Sequence, residues 1–188
     1  MTAGSGILHQ EMPVAYRGLM QGFQLWVNLP ASNKMMNPRY RDVKSETIPS
    51  LSPAKGVNVK VIAGEVQDTK GPVQDLVVEA EYLDVAMNPN SHFKHSIERG
   101  NRAFAYVFEG GGSFDPNHKS SIQSESLIVF GDGEDVAVKS GDIGLRFLLV
   151  SGKPIGEPVA WGGPIVMNTE QELDVAYREL RDGIFIKK

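Results

Sequence analysis

Between residues 57 and 152 the chain breaks into short runs of β-branched and aromatic residues, each closed by Gly, Asn, Asp or Pro. The runs are VNVKVIAGEV (57–66), LVVEAEYLDVAM (76–87), RAFAYVFEG (102–110), SLIVFG (126–131), EDVAVKSG (134–141) and LRFLLVSG (145–152). β-branched and aromatic side chains suit a pleated, half-buried surface, and the punctuating residues supply turns. Many short strands with short connections predict an antiparallel all-β sandwich or barrel. An earlier run, FQLWVNL (23–29), alternates apolar and polar side chains as a half-buried strand does, placing Phe23, Leu25, Val27 and Leu29 on one face and Trp26 on the other.

Two stretches depart from this pattern. Residues 30–53 are rich in proline and serine, lack a period, and read as a connection between packed units. Near the end, NTEQELDVAYRELRDG puts Leu173, Ala176, Tyr177 and Leu180 on one helical stripe. Thr169 with Glu172 three residues on forms a capping box, and Gly183 stands at the C-terminal cap, so one helix is expected over about 169–182. Ile184, Phe185 and Ile186 are expected to dock the terminus on a core.

The 188 residues suffice for one good-sized domain with a real core. A net charge of −4 without any basic run predicts no direct nucleic-acid contact. No stretch has membrane-spanning length or the layout of a secretion signal, so a cytoplasmic, membrane-free protein is expected. Cysteine is absent, which leaves His, Asp and Glu as the strong metal ligands.

Of the four histidines, His9 in GILHQEMP is the most informative. On a strand, His9 and Glu11 would project to the same side, which is half of a facial metal site. The alternative is that both are surface residues near a chain start. His92 and His95 in NSHFKHSI lie three apart, a spacing that does not align them on a strand, and read as surface-loop residues. His118 in DPNHKSS reads as a turn residue. The triple glycine of EGGGSF (109–114) lacks the lysine and helix start of a phosphate loop and reads as a sharp turn between strands. No nucleophile elbow is present, so hydrolase chemistry has no support.

MTAGSGILHQEMP, GFQLWVNLP, NPRYRDVKSETIP and GEPVAWGGPIVMNTEQEL together resemble the pirin family, in that family's order and across essentially the whole chain. The resemblance implies a bicupin: two small antiparallel, jelly-roll-like β-barrels, with one metal, usually iron, in the N-terminal barrel. It therefore implies an all-β cupin whose C-terminal barrel is complete, with remnant strands of an N-terminal cupin at 1–30, a linker at 31–56, and the C-terminal cupin with its short α-helix at 57–188.

By position, the resemblance makes His9 and Glu11 two metal ligands and makes Glu11 the candidate catalytic residue. The family's other two histidines come from an earlier H-x-H motif that this sequence does not contain. In the second barrel Ser96, Glu98 and Arg102 stand where ligands would be, so that barrel is expected to be metal-free. The implied cofactor is Fe(II) or another divalent metal at an incomplete site, and the implied activity is quercetin 2,3-dioxygenase-like on a small aromatic or flavonol substrate. A coregulator-like interaction role, nuclear in a eukaryote, and a homodimer formed through the opened N-terminal strands are the alternatives.

Overall fold

The structure, a computed structural model, describes residues 1–11, 18, 20–115, 117 and 120–187. Its strands, in chain order, are β1 (Ser50–Leu51), β2 (Val57–Ala63), β3 (Glu65–Val66), β4 (Thr69–Lys70), β5 (Ala80–Met87) and β6 (His92–Ser96). They continue with β7 (Arg102–Ser113), β8 (Ile122–Gln123), β9 (Ser126–Val129), β10 (Asp135–Gly152), β11 (Ala160–Gly162) and β12 (Ile165–Met167). One helix, α1 (Glu170–Arg181), follows. The chain divides into two compact units: residues 42–154, and residues 1–41 together with 155–188.

The first of these units is an antiparallel barrel. Its main sheet runs β1-β2-β5-β10-β7-β8, with β6 pairing to β10 and β9 to β7. Alternation of side chains along the strands sets the interior: Val57, Val59 and Val61 on β2 and Leu83, Val85 and Met87 on β5 are all buried. Ala103, Ala105 and Val107 close the wall from β7, and Phe147 sits at the centre, fully buried, with Phe114 edge-on to it at 5.2 Å.

The runs 134–141 and 145–152, read separately in the sequence, form the single strand β10. Its N-terminal half pairs with β6 and its C-terminal half with β5, so one strand serves both sides of the barrel. Where the halves meet, the β7 pairing skips from Ser140 to Leu145. The buried Ser140 hydroxyl holds this corner, donating to the Asn88 carbonyl at 2.6 Å and accepting from the Ser91 amide at 2.9 Å.

The glycines of EGGGSF belong to this corner rather than to a turn: all lie inside β7. Gly110 has φ +68°, and a Cβ there would stand 2.2 Å from the Gly144 carbonyl oxygen. A Cβ on Gly112 would stand 2.4 Å from the Lys139 oxygen. The glycines let two backbones approach where the strand pair bends.

In the other unit, the expected strand over 23–29 is absent, and Phe23, Leu25, Trp26 and Val27 are exposed. Alternation selects a strand only where a neighbouring strand completes the ladder and a core covers one face. The helix, in contrast, forms as expected: Thr169 caps it, its side chain accepting from the Glu172 amide while Glu172 returns the bond to the Thr169 amide. Leu173 and Ala176 are buried, whereas Leu180 is exposed. Of the three apolar residues after Gly183, only Phe185 is partly covered, lying against Gly6; Ile184 and Ile186 are exposed.

Candidate functional site

His9 and Glu11 lie in irregular, exposed backbone rather than on a strand. The segment before them is anchored: Thr2 and Arg39 exchange backbone hydrogen bonds at 2.7 and 2.9 Å, and the Ser5 amide donates to the Met36 carbonyl at 2.8 Å. The Gln24 amide nitrogen donates to Glu11 Oε1 at 3.2 Å. Among the described residues no group of three His, Cys, Asp or Glu side chains gathers to hold a metal ion. His9 and Glu11, expected as two metal ligands, are thus not part of any such group. His118 lies outside the described residues.

GEPVAWGGPIVMN forms a clamp in the same unit. Glu157 Oε2 accepts from the Ala31 amide at 2.7 Å and from Asn168 Nδ2 at 3.0 Å, tying residues far apart in sequence. Lys34, only 6% exposed, donates to Asn28 Oδ1 at 2.8 Å and to the Val166 carbonyl at 3.1 Å. Burial lowers the Lys34 pKa, against the opposing pull of Glu157 and Glu172. The hairpin β11–β12 is locked to α1 by Tyr177, whose hydroxyl donates to the Gly162 carbonyl at 2.6 Å. The Trp161 ring nitrogen donates to the Gly163 carbonyl at 2.8 Å, and the exposed ring lies 6.2 Å from that of Trp26 at 53°.

The barrel holds a polar group that the spacing argument did not find. His95 is on β6, not in a loop, and faces inward with Phe93, whose ring stacks on the imidazole at 6.0 Å and 5°. Its Nε2 lies 2.9 Å from both Glu81 oxygens, and the Ser151 hydroxyl donates to Glu81 Oε2 at 3.3 Å. The signal was present as the period-two set Phe93, His95 and Ile97, which the His92–His95 spacing obscured. On the outer face, Arg146 bonds both oxygens of Asp84 at 3.0 and 2.7 Å and lies 5.0 Å over the Phe108 ring. Its pKa is raised by the Asp84 bonds.

The antiparallel barrel of residues 42–154 is of the cupin class. The family model for the pirin C-terminal cupin domain matches residues 82–186. The chain belongs to the pirin family.

A pirin-like protein of Arabidopsis thaliana is 41% identical over 187 residues, covering 98% of this chain and 68% of its own length. Pirin of Homo sapiens is 39% identical over 185 residues, covering 97% and 63% respectively. A Pseudomonas aeruginosa protein named as a candidate quercetin 2,3-dioxygenase is 38% identical, covering 98% and 66%. Among solved structures, the quercetin 2,3-dioxygenase of Acinetobacter baumannii superposes with a TM-score of 0.79 at 26% identity, over 85% of this chain and 55% of that one. The chain thus spans about two thirds of the length of these relatives.

Proposed function

We propose that this chain carries the C-terminal cupin of a pirin together with half of its metal site, His9 and Glu11, and that residues 1–30 belong to the metal-binding cupin. The parent activity is quercetin 2,3-dioxygenase-like, on a flavonol or similar small aromatic, with Fe(II) or another divalent metal as cofactor. In this chain alone that activity is impaired. The observation that carries the reading is the GILHQEMP segment: it supplies one His and one Glu, while the sequence has no H-x-H motif to supply the other two histidines. The names of the Pseudomonas and Acinetobacter relatives support the substrate class.

What the chain's own residues do is limited. Gln24 holds the Glu11 carboxylate by a single hydrogen bond, and both Glu11 and His9 stand in solvent. Ordering two exposed side chains around a cation costs entropy that two bonds offset poorly. The test is anaerobic reconstitution with Fe(II), followed by iron analysis and oxygen uptake with quercetin. Well under one iron per chain and no turnover are expected; one iron per chain with turnover would overturn the impairment.

A second reading is non-enzymatic, and exposed apolar side chains favour it: Trp26, Val27 and Trp161 are 54%, 51% and 69% exposed within one unit. In this reading the segment around Trp26 associates with a second copy, as a protein-interaction module rather than a catalyst. Sedimentation should show a dimer that the Trp26→Ser substitution weakens; a monomer at high concentration would sink it. The placement is cytoplasmic, or also nuclear in a eukaryote. No helix is long and apolar enough among the described residues to cross a membrane.

A further inference from the structure

Beyond the readings above, we propose that the free edge of β9 pairs with the same edge of a second copy of this chain, antiparallel about a twofold axis at Ile128. Strand β9 pairs with β7 alone, and among the described residues its other edge faces no strand. Ile128 and Phe130 pack on the core, which turns Leu127 and Val129 to the outer face, where they are 60% and 75% exposed.

Two apolar rows cross that outer face and run out at this edge. Val150 on β10 lies beside Phe104 on β7, and Phe104 beside Val129; Leu148 lies beside Tyr106, and Tyr106 beside Leu127. Leu148 and Val150 are buried, so each row begins covered and ends in solvent. The solvent face of an antiparallel sheet is ordinarily polar.

The other free edges of this sheet are guarded. Strand β1 stands between Pro49 and Pro53, β6 exposes His92 and Lys94, and β8 is two residues long. Proline, charge and shortness keep an edge from pairing with another chain. Ser126–Val129 has neither proline nor charge.

The backbone fits this edge to a copy of itself. The Phe130 amide donates to the Ala103 carbonyl at 3.1 Å, so in the alternation of an antiparallel ladder Ser126 and Ile128 bond to β7, while Leu127 and Val129 aim their N–H and C=O groups outward. A twofold axis at Ile128 sets Leu127 opposite the partner's Val129 and Val129 opposite the partner's Leu127, each pair exchanging both N–H···O bonds. Apolar side chains then meet across the axis, and each row continues into the other row of the partner. The flanking acids meet no like charge: Glu125 falls opposite the partner's Gly131, and Asp132 opposite the partner's Ser124. A four-residue edge gives a contact smaller than the roughly 800 Å² per partner of standard complexes, so the dimer forms reversibly with concentration.

The test is sedimentation of the chain from low micromolar to near-millimolar concentration, alongside Val129→Lys. A reversible monomer–dimer equilibrium is expected, which Val129→Lys weakens at least about tenfold. A monomer throughout, or a dimer insensitive to Val129→Lys, would overturn the proposal. Trp26→Ser reports the association through Trp26 separately, whatever Val129→Lys does. Because the chain has no cysteine, Ile128→Cys adds an independent readout. At the axis the two cysteines oppose one another at a non-hydrogen-bonded pair, within the Cα separation of a disulfide, so air oxidation should cross-link this variant faster than a Val175→Cys control on α1. Should Val129→Lys fail to fold, the cross-link decides alone: oxidation no faster than in the control overturns the proposal.

Discussion

His95 Nε2 sits equidistant, at 2.9 Å, from the two carboxylate oxygens of Glu81, joining β6 to β5 across the barrel interior. Neither strand pairs with the other; each reaches its place through β10. The side-chain pair is thus a direct tie between two walls that the backbone ladder links only through a third strand. Glu81→Ala leaves a largely buried imidazole without its acceptor and should cost about 1.5–3 kcal/mol in urea unfolding. Glu81→Gln keeps one acceptor and should cost less; equal stability of all three proteins would contradict the assignment.

Glu157 performs a comparable task in the other unit, receiving the Ala31 amide and the Asn168 side chain on one oxygen. Glu157→Ala should lower stability by about 1–3 kcal/mol and release the Ala31 amide to hydrogen exchange. Protection at Ala31 unchanged from the parent would show that the bond contributes nothing.

The glycines of β7 and the loop before β10 make a matched pair of tests. Gly110→Ala places a methyl group against the Gly144 carbonyl at a left-handed φ and should destabilise the barrel by about 3 kcal/mol or more. Gly131→Ala meets nothing within 4 Å and should change stability by less than about 0.5 kcal/mol. Thermal melts of the two variants distinguish packing at the corner from a general intolerance of substitution.

Asp135 gives a signed pH dependence. Hydrogen bonds from Lys94 and Ser96 hold its carboxyl below the ordinary carboxylate range. In the window between that depressed value and the ordinary one, the unfolded chain binds more protons than the folded one, so stability rises with pH there. The contribution is complete above the ordinary range and disappears as pH falls through the depressed value. Lys94→Met should move the Asp135 titration, followed by carboxyl ¹³C shifts, upward; an unmoved midpoint would rule out Lys94 as its cause.

The parts of the fold legible in the sequence are those governed by local chemistry. The Thr169–Glu172 capping box and a strand within 57–66 follow from side-chain type and spacing alone, and both form. What was not legible depends on partners distant in sequence. The alternation in 23–29 is as good as that in β2, yet only β2 has β1 and β5 beside it. The triple glycine reads as a turn until the close approach of Gly144 gives it another purpose. His95 was hidden for the same reason: a histidine's role depends on what stands opposite, and Glu81 comes from a strand on the far side of the barrel interior. For the His9–Glu11 pair, sequence carried the family resemblance, while the geometry adds one hydrogen bond from Gln24.

The barrel, residues 42–154, is inserted into the other unit, whose two parts are 1–41 and 155–188. During synthesis the order of completion therefore inverts the order of appearance. Residues 1–41 are made before the barrel and have no Glu157, no β11–β12 hairpin and no helix to join until the whole barrel has been made. At ordinary elongation rates that interval is on the order of ten seconds, during which the barrel can close while Trp26 and its neighbours wait without the partners of the finished unit. A helper that shields newly made chains would meet this protein through residues 1–41, before residues 155–188 arrive to claim them.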